Sequence, residues 1–436
     1  MVYRESQVPF NALLEAKDIL VEHKGLGHPD ATQAADALWN AFESHRMGMS
    51  LRKTPRSSGT LDDLTVCSFL AEVRFSKASE SRDKVLALYE LLTNYGVPIP
   101  EPDYSKSLAT IYREATIVVI QCTGLRVLEQ VDGLGSTPGL ASWVPDWSSS
   151  KHSITFDCHL RCPQTPSTTP IFEFREDGRQ LCVKGVVIDV ITARSGLCYM
   201  HIDERIGDPM DYSSWTRNPP LVESDFKTTL GLLPQYSTAC LQLWNLRTLR
   251  DFIDISLGGQ PMVVGEPRIL ALYRCLMSQC NDTVPDEGKL LAWFRTLSEE
   301  WTHPEDQEPN AEWMFKYPSV LRKCADVPQL AWLTGTEEYR TLERIARSET
   351  CRAFHDGMGR IRYKTIFRTS SGKIGIAPWA IWPGDEIALI SGVRVPLVLR
   401  RVGEHYKLIA HAYVGGSIHW EGWPKGISQL HDICLV

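Results

Sequence analysis

No stretch of the chain approaches the roughly 18 consecutive apolar residues that a membrane-spanning helix needs. Apolar runs such as Ile117 to Ile120 are core-sized, so no membrane span is expected. The opening residues MVYRESQVPF lack the basic segment, apolar stretch and small-residue cleavage site of a secretory signal, which points to a cytoplasmic protein. A long block of one charge sign is also missing. Forty-six basic residues against 53 acidic ones give a formal net charge of -7, which offers no electrostatic footprint for nucleic acid. The 12 cysteines are scattered along the chain. In a cytosolic setting they read as small buried hydrophobes, and no disulfide framework is implied.

The familiar catalytic signatures are absent as well. There is no G-x-S-x-G elbow, Walker loop, H-E-x-x-H or helical E-x-x-H pair, so acyl hydrolysis, nucleotide hydrolysis and zincin chemistry lack support. Gly133-Leu134-Gly135-Ser136-Thr137-Pro138-Gly139 is a poor dinucleotide loop, because its third glycine is one residue late and Pro138 intrudes. Asp62-Asp63 reads better as helix N-terminal charge than as a magnesium site, since Val66 stands where another carboxylate would be needed. Cys158, His159, Cys162 and His152 are ligands of the right type for zinc, yet their spacing fits no strong template and buried thiols are the plainer reading. No cofactor and no metal are expected.

What is present is an ordinary globular composition, 43% apolar and 23% charged, with 13 tryptophans. At about 150 residues per domain, 436 residues suggest two or three folding units. The pattern predicts an α+β protein. Residues 1–125 read as helical, with helices from Val8 to Lys24, from Asp30 to Phe42, from Thr60 onward, from Ser81 to Thr93 and from Ser105 to Gln121. Residues 126–200 read as an irregular connection and then a hairpin, Ile171 to Arg175 and Leu181 to Ala193, turning at Glu176-Asp177-Gly178. Residues 201–356 form a mainly helical insertion, periodic at Thr238 to Ile255, Ile269 to Gln279, Gly288 to Leu297 and Glu337 to Phe354. Residues 357–436 carry short β-type runs separated by Ser371-Gly372, Pro383-Gly384-Asp385, Ser391-Gly392 and Gly403-Glu404. That spacing predicts a small, mostly antiparallel β-barrel or curled sheet.

Two constellations combine polar and aromatic groups. In Trp143-Val144-Pro145-Asp146-Trp147-Ser148, Asp146 can accept an indole N–H or cap a backbone turn, and structural use is the plainer reading. Near the C-terminus, His411, Tyr413, His419, Trp420, Glu421 and Trp423 lie within thirteen residues. Strand alternation puts His411 and Tyr413 on one face, as carbonyl hydrogen-bond donors in a cleft or as a satisfied surface pair.

Several segments taken together resemble the region that follows the heterokaryon-incompatibility domain in a large family of filamentous-fungal proteins. They are Arg82-Asp83-Lys84-Val85 with Ala87-Leu88, Pro102-Asp103-Tyr104-Ser105-Lys106-Ser107 leading to Ile111-Tyr112, and Ser142 to Ser148. The C-terminal pieces are Phe367-Arg368-Thr369, Gly372, Gly375, Pro378, Gly384-Asp385, Gly392, Pro396, Val398-Leu399-Arg400 and Ala412-Tyr413-Val414. The resemblance covers roughly residues 8–150 and 355–422. The family's own N-terminal domain signature is not found, and a Tyr-Val-His-Gly segment ending in Asp-Gly-Glu is here Tyr413-Val414-Gly415-Gly416 followed by His419-Trp420-Glu421.

A scaffold without its effector domain must bind something in its own right, and two functions are implied. The first is a cofactor-independent cyclase, of the [4+2] type, acting on a hydrophobic fungal terpenoid or polyketide. His411, Tyr413 and His419 would be its hydrogen-bond donors, and Trp147 with Asp146, Trp379, Trp382 and Trp420 would line the substrate site. Confinement of a polyene can remove about 7 to 11 kcal/mol of barrier, and carbonyl polarisation about 3 kcal/mol more. The alternative is an incompatibility or self-recognition protein lacking its effector domain, acting by protein–protein binding.

Overall fold

In the computed structural model, the residues described are Leu70, Ala78, 80–94, 98–133, 137–148, 168–195, 249–258, 267–277, 286–297, 337–356, 364–415, 423–424 and 426–436. The chain divides into two compact units, Met1–Asp62 with Asn94–Gly96, and Asp63–Thr93 with Val97–Val436. Apart from Asn94, the described residues all belong to the second unit. The helices expected from Val8 to Lys24 and from Asp30 to Phe42, and the Cys158, His159, Cys162 and His152 set, lie outside the described residues.

Helix α1, Asp83–Asn94, and helix α2, Leu108–Thr123, are close to their expected places. The Ser107 hydroxyl accepts the Thr110 N–H at 3.2 Å and caps α2, and Gly124 at φ 80° ends it. Ile111, Tyr112, Ala115, Val119 and Ile120 form its buried stripe. The Tyr112 hydroxyl donates to the Ser81 carbonyl at 2.7 Å, and the Tyr104 hydroxyl donates to Asp83 at 2.8 Å. The Pro102–Ser107 segment is thereby tied to the start of α1. The connection read as irregular begins with a buried 3-10 helix, Leu125–Gln130, too short to give a periodic signal.

The described helices within residues 201–356 are residues 249–258, α3 (Pro267–Met277), α4 (Glu287–Leu297), α5 (Glu337–Arg347) and α6 (Glu349–Asp356). The single helix expected from Glu337 to Phe354 is two, broken at Ser348, whose hydroxyl accepts the Cys351 N–H at 3.3 Å and caps α6. Helices α4, α5 and α6 pack on one another, and α3 packs on the sheet.

The sheet contains nine described strands, β1 (Phe172–Arg175), β2 (Gln180–Arg194), β3 (Lys364–Thr369), β4 (Ile374–Pro378), β5 (Glu386–Ile390), β6 (Leu397–Val402), β7 (His405–His411), β8 (Tyr413–Val414) and β9 (His431–Leu435). All four expected turn sequences fall between strands. Every pairing is antiparallel except β7 with β9. β2 is long and bulged enough to pair in succession with β9, β5 and β3. The pairings β2–β5–β6–β7–β9–β2 therefore return on themselves. Ile191, Phe367, Ala377, Ile381, Ile387, Val398, Ile409, Ala410, Ala412 and Val414 form one buried apolar cluster contributed by most of these strands.

Strand β9 was not anticipated, and neither was its covalent link. Cys182 and Cys434 stand opposite each other in the β2–β9 register and are disulfide-bonded across a separation of 252 residues. The expectation of mostly small buried hydrophobes, with no disulfide implied, has its exception in this pair, which sheet register brings together. Closing so long a loop restricts the unfolded chain. Replacing both by alanine is expected to cost about 2 to 4 kcal/mol in urea unfolding. At least two of the 12 cysteines should fail to react with a thiol reagent in denatured, unreduced protein.

Asp189 on β2 ties down the β3–β4 turn. Its carboxylate accepts the Ser370 hydroxyl at 2.7 Å, the Val190 N–H at 2.9 Å and the Ser371 N–H at 3.3 Å, with the Ser371 hydroxyl also bonded to it. Burial alone would raise its pKa, but the Ser371 and Ser370 hydroxyls outweigh that and lower it from 3.8 to about 2. A depressed carboxyl stabilises the fold above its unfolded pKa and loses that contribution as pH falls toward the folded value. About 2 kcal/mol should therefore disappear between pH 4 and pH 2. Asp189→Asn should flatten the stability–pH curve in that window, as read by urea unfolding.

Candidate functional site

The β4–β5 connection, residues 379–385, gathers the charge cluster of the described surface. Gly384 at φ 96° lets the chain turn tightly, and the Asp385 N–H donates to the Trp382 carbonyl at 3.0 Å. The carboxylate in turn accepts the Trp382 N–H at 2.7 Å. Pairing of Glu386 with Leu399 sets Arg400 beside Asp385. Arg400 grips the acid with two bonds, Nε to Oδ1 at 2.8 Å and Nη2 to Oδ2 at 2.9 Å, and also donates to the Ala380 carbonyl at 3.1 Å.

A second guanidinium completes the cluster. Arg194, the last residue of β2, donates Nη1 to the Trp379 carbonyl at 2.6 Å and lies 3.7 Å from the centroid of the Trp382 ring. Trp382 is 45% exposed, unusual for so large an apolar ring, and Pro383 and Gly384 beside it are exposed too. Burial lowers the Arg194 pKa, and repulsion from Arg400 lowers it further, with Asp385 in partial opposition. The hydrogen-bonded Asp385 instead raises that of Arg400. One carboxylate thus serves two guanidinium groups.

The other expected site residues are placed differently. Trp147 is fully buried, its indole N–H donating to Gln130 Oε1 at 3.2 Å and its ring meeting Tyr112 edge-on at 5.2 Å. Asp146 accepts the Thr137 N–H and the Ser148 N–H, each at 3.0 Å, and the Ser148 hydroxyl at 2.6 Å. Burial opposes ionisation of Asp146, but the Ser148 and Thr137 bonds prevail and hold its pKa below the usual range. These hydrogen bonds of Asp146 and Trp147 all go to neighbouring protein groups. His411 ends β7 with Nδ1 3.4 Å from the Val131 carbonyl, and Tyr413 opens β8 opposite Ile376. Ile409, Ala410, Ala412 and Val414 belong to the interior cluster, while alternation puts His411 and Tyr413 on one face. Both are buried. The carbonyl of Val131, next to the Gln130 that holds Trp147, meets His411 there. His419 and Trp420 lie outside the described residues.

The structure therefore brings the Trp379 carbonyl and the Trp382 ring to Arg194, next to Arg400 and Asp385, three charged residues which sequence reasoning did not select. A signal existed, because Gly384-Asp385 and Val398-Leu399-Arg400 are both among the residues that carry the family resemblance. The cluster offers a cationic fork and an exposed indole. Among the described residues, no group of three or more His, Cys, Asp or Glu could hold a metal, and no helix is long and apolar enough to cross a membrane.

No curated protein and no solved structure matches the chain. Residues 331–421, the stretch that contains α5, α6 and strands β3 to β8, match the family model described as the Het-6 beta-barrel domain, and the C-terminal region of this chain is thereby similar to that of heterokaryon-incompatibility proteins.

Proposed function

We propose that this chain is a fungal recognition protein of the heterokaryon-incompatibility kind that acts by binding another protein. The observation that carries this reading is the match of residues 331–421 to the Het-6 beta-barrel domain. The described surface supports it, since a large indole stays exposed beside the guanidinium groups of Arg194 and Arg400. Tryptophan and arginine are the residue types that most often anchor protein interfaces.

The cyclase reading draws no support from this arrangement. It needs an apolar chamber faced by His411 and Tyr413. Among the described residues the His411 ring lies against a backbone carbonyl, that of Val131.

The test is quantitative affinity purification of the full tagged chain from a fungal host, alongside incubation of the purified chain with apolar polyenes. The expected result is one protein partner at near-stoichiometric yield and unchanged polyenes. Turnover of a polyene without a protein partner would reverse the assignment.

A further inference from the structure

The Arg194–Trp382 corner has a property that structural use leaves unexplained. A buried or half-buried guanidinium is normally matched by a carboxylate of its own. Here the carboxylate of Asp385 is held in a fork by Arg400, and the hydrogen bond that Arg194 makes among the described residues goes to a neutral carbonyl, that of Trp379. A guanidinium has five N–H donors in a rigid plane. Arg194 Cζ sits 3.7 Å over the centroid of the Trp382 ring, and the ring itself is 45% exposed to solvent.

We propose that this corner is a docking point for an acidic side chain, glutamate or aspartate, of a protein partner. This deepens the recognition reading above and rests on it. The partner's carboxylate would take up the excess positive charge left by two guanidinium groups around one acid, and its flanking residues would cover Trp382. Charge complementarity and a guanidinium held between the Trp379 carbonyl and the Trp382 ring together select a carboxylate-bearing peptide over a neutral one. Arg194 and Trp382 are the contact residues. Asp385 and Arg400 are positioning residues, because they fix the turn that presents the indole.

The experiment uses the full chain labelled with 5-fluorotryptophan, the Trp382 resonance being assigned by its loss in Trp382→Phe. The probes are a capped peptide with two glutamates in a glycine background and the same peptide with two glutamines. The glutamate peptide should move the Trp382 signal saturably and less at high salt, and the glutamine peptide should not. Arg194→Gln should weaken the response about tenfold, the scale of a charge-assisted hydrogen bond. Equal responses to the two peptides would overturn the proposal using unmodified protein alone. An unchanged response in a cooperatively folding Arg194→Gln would also overturn it, as would acetate acting as strongly as the peptide at equal carboxylate concentration. If Arg194→Gln does not fold, Arg194→Lys keeps the charge but loses the fork, and an undiminished response there is equally adverse. A partner captured from the fungal host and retained by Arg194→Gln would sink this site while leaving the recognition reading intact.

Discussion

Replacing Asp385 with alanine is expected to cost about 3 kcal/mol of stability and to abolish partner binding. Its side chain is almost wholly buried, whereas its partner Arg400 is about two-fifths exposed (3% against 39%). Removing one member of a buried pair usually costs about 3 to 5 kcal/mol, because a charge is left without compensation. The access of Arg400 to water puts this case at the low end. Two further losses add to it, the acceptor for the Trp382 N–H and the partial counter-charge for Arg194. Asp385→Asn keeps the shape and one acceptor, so it should cost less in urea unfolding. Binding should nevertheless suffer in both, since both loosen the turn that presents Trp382.

Trp147→Ala should be the most destabilising single change in the described core, at about 3 to 5 kcal/mol. The side chain is fully buried, its ring packs edge-on to Tyr112, and its N–H holds Gln130 at the end of the 3-10 helix. Through Gln130 it also steadies Val131, whose carbonyl meets His411. Trp147→Phe retains much of the packing and leaves the Gln130 amide short of a donor, so about 1 to 2 kcal/mol is expected. Urea unfolding of the two variants, compared at equal m-value, separates packing from the hydrogen bond.

Local signals were legible where they are periodic or conformationally strict. Ser107 and Gly124 bracket α2 close to where its apolar stripe begins and ends, and Gly372, Gly384, Gly392 and Gly403 mark turns at positive φ. The 3-10 helix at Leu125 is too short to show a period, and β9 lies past the last turn signal. Its alternation of Ile433 and Leu435 was nonetheless there to be read. Long-range pairings were not legible at all. Cys182 finds Cys434, and Arg194 joins Arg400 and Asp385, only because β2 changes partners along its length. For the same reason His411 and Tyr413 could be assigned a common face, yet not the Val131 carbonyl that His411 meets.

The recognition reading stands most directly on one comparison, the yield of a co-purifying protein with wild-type chain against Trp382→Ala from the same fungal host. Trp382 is exposed, so its replacement should leave thermal unfolding close to wild type while partner yield falls by about tenfold or more, as for an interface anchor. No stoichiometric partner with the wild-type chain, together with conversion of a polyene by the purified protein, would contradict it.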